Sequence, residues 1–142
     1  MRRQTEEGFS LIELLIVVGI IGIIAAIVVP LLVDAIDRSK QRRTMGDMHS
    51  LVTANGTYKV DLQEYPPTLA DLLVGGEYLQ VLVSNDGWGN PFTYTTDGDT
   101  YNLTSLGRDG STGPAPPAPW VNEPFDCDIT VIDGVFTQAP EG

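Results

Sequence analysis

The chain has 142 residues, a formal net charge of −11, 42% hydrophobic residues and a single cysteine. That length suits one modest domain, the acidity repels nucleic acid, and one cysteine excludes an internal disulfide framework. The signs are also segregated: Arg38, Lys40, Arg42 and Arg43 cluster, whereas after Lys59 only Arg108 opposes thirteen acids from Asp61 to Glu141.

Residues 1–8, MRRQTEEG, are short and polar. Twenty residues without a charge follow from Leu14 to Val33, the length that a membrane-spanning helix needs. A secretory signal has a shorter apolar region and a small-residue cleavage site. No A-x-A pattern stands at Val28–Asp34, so residues 9–33 are expected to persist as a membrane helix. Arg2 and Arg3 favour a cytoplasmic N-terminus and the cluster at 38–43 pulls the other way, so charge alone leaves the orientation open. Gly19, Gly22 and Pro30 interrupt the run, and Pro30, lacking a backbone donor, predicts a kink or local opening. Beyond Val33 the apolar residues become periodic. Met45, Met48, Leu51, Val52 and Tyr58 share one face, which predicts an amphipathic continuation over 34–60. One long helix from Phe9 to about Val60 results, its second half packed on an acidic globular domain at 61–142.

In that domain Thr68 can cap a short helix through Leu69, Leu72 and Leu73, with Asp71 at the third position and Gly75-Gly76 ending it. NDGWGN at 85–90 is a turn-rich loop. PFTYTT and DTYNLT flank Asp97-Gly98, and ITVI and VFTQ flank Asp133-Gly134. Both pairs read as hairpins with two-residue turns. The fold class is therefore α+β: a long N-terminal helix packed on an antiparallel sheet of about four strands. Between the hairpins runs a long loop, 107–128, whose PAPPAP stretch at 114–119 is expected to be extended and exposed.

Few residues suggest reaction chemistry. His49 is the only histidine and has no second ligand for zinc; it is expected on the surface or against the sheet. Cys127 has no histidine nearby in sequence to activate it. Trp88 reads as a loop anchor and Trp120 as an exposed contact. No enzyme is expected.

The informative polar residue is Glu13, one position before the apolar run. It either sits at headgroup depth facing water or is drawn into the apolar phase, where an acid costs about 2.5–3.5 kcal/mol and needs a partner. A free amine at Phe9, made by cutting after Gly8, would be the nearest cation. Within one helix or between neighbouring subunits, both pairings are open on the residues alone.

The stretch GFSLIELLIVVGIIGIIAAIVVP resembles the N-terminal motif of type IV filament subunits, the type IV pilins and type II secretion pseudopilins. The resemblance covers residues 8–30. It implies a leader at 1–8, cleavage between Gly8 and Phe9 by a prepilin peptidase, N-methylation of Phe9, and pairing of Glu13 with the N-terminus of a neighbouring subunit. It also implies that the helix between Gly22 and Pro30 loses order in the assembled filament. Expected partners are other copies of the chain, an inner-membrane platform protein, an assembly ATPase and minor pilins or pseudopilins. The subunit would wait in the inner membrane and then enter a periplasmic pseudopilus or an extracellular pilus.

Further blocks are similar to the major pseudopilin of type II secretion: Tyr58, Asp61, Tyr65 and Pro66; Asp86, Trp88, Gly89, Asn90 and Pro91; Ser105, Gly107, Asp109 and Gly110. That resemblance implies a calcium ion held by Asp109, the Leu106 carbonyl, Asp126 and Asp128. The absence of a disulfide makes such a staple physically reasonable. The long PAPPAPWVNEP insert, Cys127 between two of the acids, and the second hairpin depart from the pattern. A surface pilus subunit for adhesion, motility or DNA uptake therefore remains an alternative, as does a non-polymerising membrane tether carrying a calcium-binding domain.

Overall fold

A computed structural model describes residues 8–113 and 125–140. The chain divides into two compact units, Met1–Ile36 and Asp37–Gly142. One α-helix, α1 (Leu11–Leu62), contributes to both. Four strands follow, β1 (Thr93–Thr96), β2 (Tyr101–Ser105), β3 (Ile129–Ile132) and β4 (Val135–Gln138), after a 3-10 segment at Leu69–Gly76.

In the first unit Gly8, Phe9 and Ser10 precede the helix, and the Leu14 N–H donates to the Ser10 carbonyl at 3.2 Å. The helix thus starts two residues later than expected. Every side chain from Phe9 to Val33 is exposed, and the most apolar 18-residue window reaches a mean hydropathy of 3.2. By length and composition this helix can cross a membrane. In the single subunit α1 continues through Pro30; the loss of order implied between Gly22 and Pro30 belongs to the assembled filament. Proline removes one donor, but the surrounding Ile, Ala and Val residues hold helical geometry on both sides, as apolar helices commonly tolerate.

The second half of α1 has the predicted face, with a different composition. Its buried residues are Asp37, Gln41, Thr44, Met48, Leu51, Ala54 and Asn55. Their three- and four-residue steps make one stripe. Met45, Val52 and Tyr58 flank it half-buried. The stripe is polar over Asp37–Thr44 and mainly apolar from Met48. The apolar part meets Leu72, Tyr101, Leu103, Cys127, Ile129 and Val131 in the core. The helix ends at Leu62 because Gln63 takes φ 65°, with its N–H still bonded to the Lys59 carbonyl at 2.9 Å.

The predicted short helix is a 3-10 segment, and helical geometry is lost at Val74 and Gly75, where the Gly75-Gly76 pair was expected to end it. Its start is as expected: the Asp71 carboxylate accepts the Thr68 N–H at 2.9 Å and the Thr68 hydroxyl at 2.8 Å. The sheet is an antiparallel meander in the order β1-β2-β3-β4. Tyr101, Leu103 and Ser105 of β2 and Ile129 and Val131 of β3 alternate inward, the period-two pattern of a sheet with one covered face. His49 lies exposed on α1 with its ring 4.6 Å from Phe136 of β4.

Candidate functional site

Three sets of residues stand out, and the first is the N-terminal one. Gly8 and Phe9 are exposed and lie before the helix. Glu13 sits in the first turn of α1, where the helix dipole favours a negative charge. The same helix presents an uninterrupted apolar surface from Leu14 to Val33.

The second set fastens the NDGWGN loop to α1 within the second unit. Asp86 is buried; its Oδ1 accepts the backbone N–H groups of Trp88 at 3.0 Å and Asn90 at 2.9 Å, and its Oδ2 accepts the Ser105 hydroxyl at 2.8 Å. One side chain therefore shapes the turn and ties it to the end of β2. The Gly87 N–H donates to Thr44 Oγ1 at 2.8 Å, and the Thr44 hydroxyl donates to the Lys40 carbonyl at 3.0 Å. A Cβ on Gly87 would stand 2.3 Å from that carbonyl oxygen, so only glycine permits the approach. Trp88 Nε1 donates to Asp37 Oδ1 at 3.0 Å. Asn90 Nδ2 donates to the Gly107 carbonyl at 2.7 Å, and a Cβ on Gly110 would meet the Asn90 side chain at 2.9 Å. The sequence blocks around Asp86–Asn90 and Ser105–Gly110 are thus one hydrogen-bonded unit. Trp88 is a loop anchor, as expected.

The third set is the start and end of the long loop. Arg108 donates from Nε and Nη2 to Asp126 at 2.8 and 3.0 Å and from Nη1 to Asp37 at 3.1 Å. Its own N–H donates to the Phe125 carbonyl at 2.9 Å. Burial pushes the Asp37 carboxyl up, but bonds from Trp88 and Arg108 and the charges of Arg108 and Lys40 outweigh it and hold the group below its ordinary value. The Arg108 guanidinium is pushed further up, first by its bond to Asp126 and then by its bond to Asp37. Asp128 is buried and accepts the Gly113 N–H at 3.2–3.3 Å. Burial, aided by the Asp109 charge, raises its pKa over the opposing effect of that N–H. Asp109 is exposed and receives the Ser111 N–H at 3.1 Å. A cleft of about 370 Å³ opens beside Asp128, lined also by Leu106, Thr112, Gly113 and Thr130. Burial pushes the Cys127 thiol up, and the charges of Asp128, Asp126 and Asp109 act in the same direction, so it stays protonated.

Of the four residues expected to hold calcium, Leu106 and Asp128 share the cleft lining, whereas Asp126 is turned to Arg108. Among the described residues no three acidic, histidine or cysteine side chains form a ready-made metal cage. Trp120 and the PAPPAP stretch lie outside the described residues. Sequence reasoning missed Asp37, Thr44 and Gly87. It noted Arg108 as the one late base without giving it a partner.

Comparison with known proteins agrees with both ends of this description. The family model for "Type II secretion system (T2SS), protein G" matches residues 31–118, and that for the prokaryotic N-terminal methylation motif matches residues 3–29. The chain belongs to the type II secretion system protein G family. Among its relatives, the type II secretion system core protein G of Pseudomonas aeruginosa is 36% identical over 130 residues, spanning 80% of this chain and 91% of that protein. That of Vibrio cholerae is 36% identical over 129 residues, spanning 80% and 86%, and that of Escherichia coli 32% over 124 residues, spanning 76% and 86%. In this protein G family member the matched region holds α1 from Leu31 onward, the 85–90 loop and the first hairpin. The β3–β4 hairpin lies beyond its end at 118.

Proposed function

We propose that the chain is a structural subunit that polymerises into the pseudopilus of a type II secretion system. The observation that carries the reading is the first unit: an apolar helix whose side chains are exposed all round, with one carboxylate, Glu13, in its first turn. A fully exposed apolar surface of that size needs either lipid or other apolar helices. Membership of the protein G family and the N-terminal methylation motif support both in succession, membrane first and filament afterwards. Cleavage after Gly8 frees the Phe9 amine, which then carries one methyl group. In a bundle of neighbouring helices the Glu13 carboxylate gains that amine as a partner. A desolvated, paired charge replaces a costly unpaired one, and the pairing fixes the axial stagger. Prepilin peptidase, a membrane platform protein, an assembly ATPase and minor pseudopilins are the partners this route requires.

Asp109, Asp128 and the Leu106 carbonyl are the groups that would hold calcium, an ion that takes six to eight oxygen ligands. The support is Asp128, a buried carboxylate that faces the Asp109 charge and shares a cleft with Leu106. When bound, the ion would neutralise these acids and staple the loop to β3.

Intact-mass spectrometry of the subunit from native cells tests the central reading. The expected result is a mass of residues 9–142 plus one methyl group, found in the cell envelope. The same mass abundant in filaments sheared from the surface would point to an extracellular pilus instead. An uncut mass would overturn polymerisation through a processed Phe9.

A further inference from the structure

Resting on the calcium reading above, we infer that Arg108 is a built-in competitor for the ion: it withholds Asp126 from the loop's cation site and supplies part of the positive charge itself. Asp126 is held by two parallel N–H···O bonds of 2.8 and 3.0 Å, the planar fork geometry in which arginine binds carboxylates best. Arg108 is anchored on the other side by Asp37, a buried carboxylate at 3.1 Å that Trp88 also holds. The backbone amide of Arg108 bonds the Phe125 carbonyl and its guanidinium lies 5.8 Å from the Phe125 ring centre. The guanidinium is thus fastened from the helix, the loop and the ring, and rotating it away to free Asp126 would leave the buried Asp37 short of a partner. Among the described residues, no arginine pairs with Asp109 or Asp128, one residue on and two residues beyond the pair. The site is therefore divided: one acid neutralised internally, and two left for an external divalent cation.

Ligand charge count is a main determinant of calcium affinity, so the division has a measurable consequence. Removing Arg108 releases Asp126 and converts a two-carboxylate site into a three-carboxylate one. The test is calorimetric titration of calcium into the full-length processed chain in detergent, as wild type, Arg108→Gln, Asp126→Asn and the double variant. The expected Kd of Arg108→Gln is about tenfold or more below wild type, since added carboxylate charge tightens such sites. Asp126→Asn alone stays within about twofold of wild type, and the double variant returns to it, because in both the Asp126 charge is absent from the site. An Asp37→Asn chain, which loosens the helix tie while leaving the Arg108–Asp126 pair, should bind like wild type; this separates the effect from general loosening of the loop. A tenfold loss on Asp126→Asn alone would show that Asp126 already ligates the ion and would overturn the inference. So would a gain that persists in the double variant, which would reflect the lost arginine charge alone. Absence of calcium binding in all the chains would overturn it too, while the N-terminal mass measurement would still decide the filament reading independently.

Discussion

At the residue scale two turn glycines, Gly87 and Gly98, differ in what they do, and the difference predicts unequal costs. Gly87 has no positive φ, but a Cβ there would sit 2.3 Å from the Lys40 carbonyl oxygen and 2.9 Å from its carbon. Helix backbone cannot yield as a flexible side chain can. Gly87→Ala should therefore destabilise the second unit by about 1–3 kcal/mol or more, the usual range for overpacking. Gly98 has φ 92° and open space around its Cβ position. Gly98→Ala should cost only the left-handed strain of about 1–2 kcal/mol. Urea unfolding of the two variants in detergent, followed by tryptophan fluorescence of Trp88, checks the order. Asp37 gives a pH prediction. Its folded carboxyl titrates below the ordinary value of 3.8. The stability it contributes is complete above that value and is lost as pH falls through the lower, folded one. Asp37→Asn should be less stable than wild type at neutral pH, and the gap should narrow as pH falls below the ordinary carboxylate value and through the lowered, folded one. A gap that stays constant across the range would show that the charge of Asp37 is not what Arg108 and Trp88 recognise.

At the scale of elements, α1 from Asp37 onward combines two kinds of attachment. The apolar end is ordinary core. Leu51→Ala should cost about 2–5 kcal/mol, as for other buried leucines. The polar end works through specific bonds. Thr44→Val keeps the shape but leaves the half-buried Gly87 N–H without its acceptor, and an unsatisfied donor costs up to about 1–3 kcal/mol when fully buried. Thermal unfolding of both variants should separate these contributions. The apolar end was legible in the sequence because Met48 and Leu51 follow helical spacing. The polar end was not, since Asp37, Gln41 and Thr44 look like solvent-facing residues until the 85–90 loop covers them. The sheet was read from PFTYTT, DTYNLT, ITVI and VFTQ and from their Asp-Gly punctuation. Only the second of those turns has the expected form: Ile132 pairs with Val135, leaving Asp133 at φ 50° and Gly134 at φ 82°, as a type I′ turn requires. In the first, Thr96 pairs with Tyr101, so the loop spans 97–100. There the Asp97 carboxylate accepts the N–H groups of Asp99 and Thr100 and the Thr100 hydroxyl, favouring a wider turn that the Asp-Gly pair alone does not reveal. The pairing of Arg108 with Asp126 and Asp37 spans 18 and 71 residues. Nothing local specifies a contact of that range; charge arithmetic could only mark Arg108 as scarce.

On the scale of the whole molecule, the two features that matter are one carboxylate and an exposed apolar helix. Glu13 is not needed to fold either unit: it is exposed, in the first turn of α1, with the side chains around it exposed as well. It is not needed for membrane insertion either, because the uncharged run from Leu14 to Val33 suffices by length and hydropathy. An acid at that depth raises the cost of the lone membrane-inserted state by an amount up to about 2.5–3.5 kcal/mol. On the proposed reading, that cost is offset in a state where Glu13 has a partner. Glu13→Ala removes the cost in the membrane and the gain in the filament together. The variant should accumulate at wild-type levels, be cut after Gly8 and carry its methyl group, yet yield at least tenfold fewer filaments, since losing about 1.4 kcal/mol per subunit contact is a factor of ten in each association constant. Glu13→Asp keeps the charge and should recover part of the yield. Electron-microscopic filament counts beside intact masses of the membrane fraction distinguish the cases. Normal filament yield from a processed Glu13→Ala chain would mean that apolar packing of the helices alone sets the assembly. An unprocessed Glu13→Ala chain would instead place Glu13 in recognition by the peptidase.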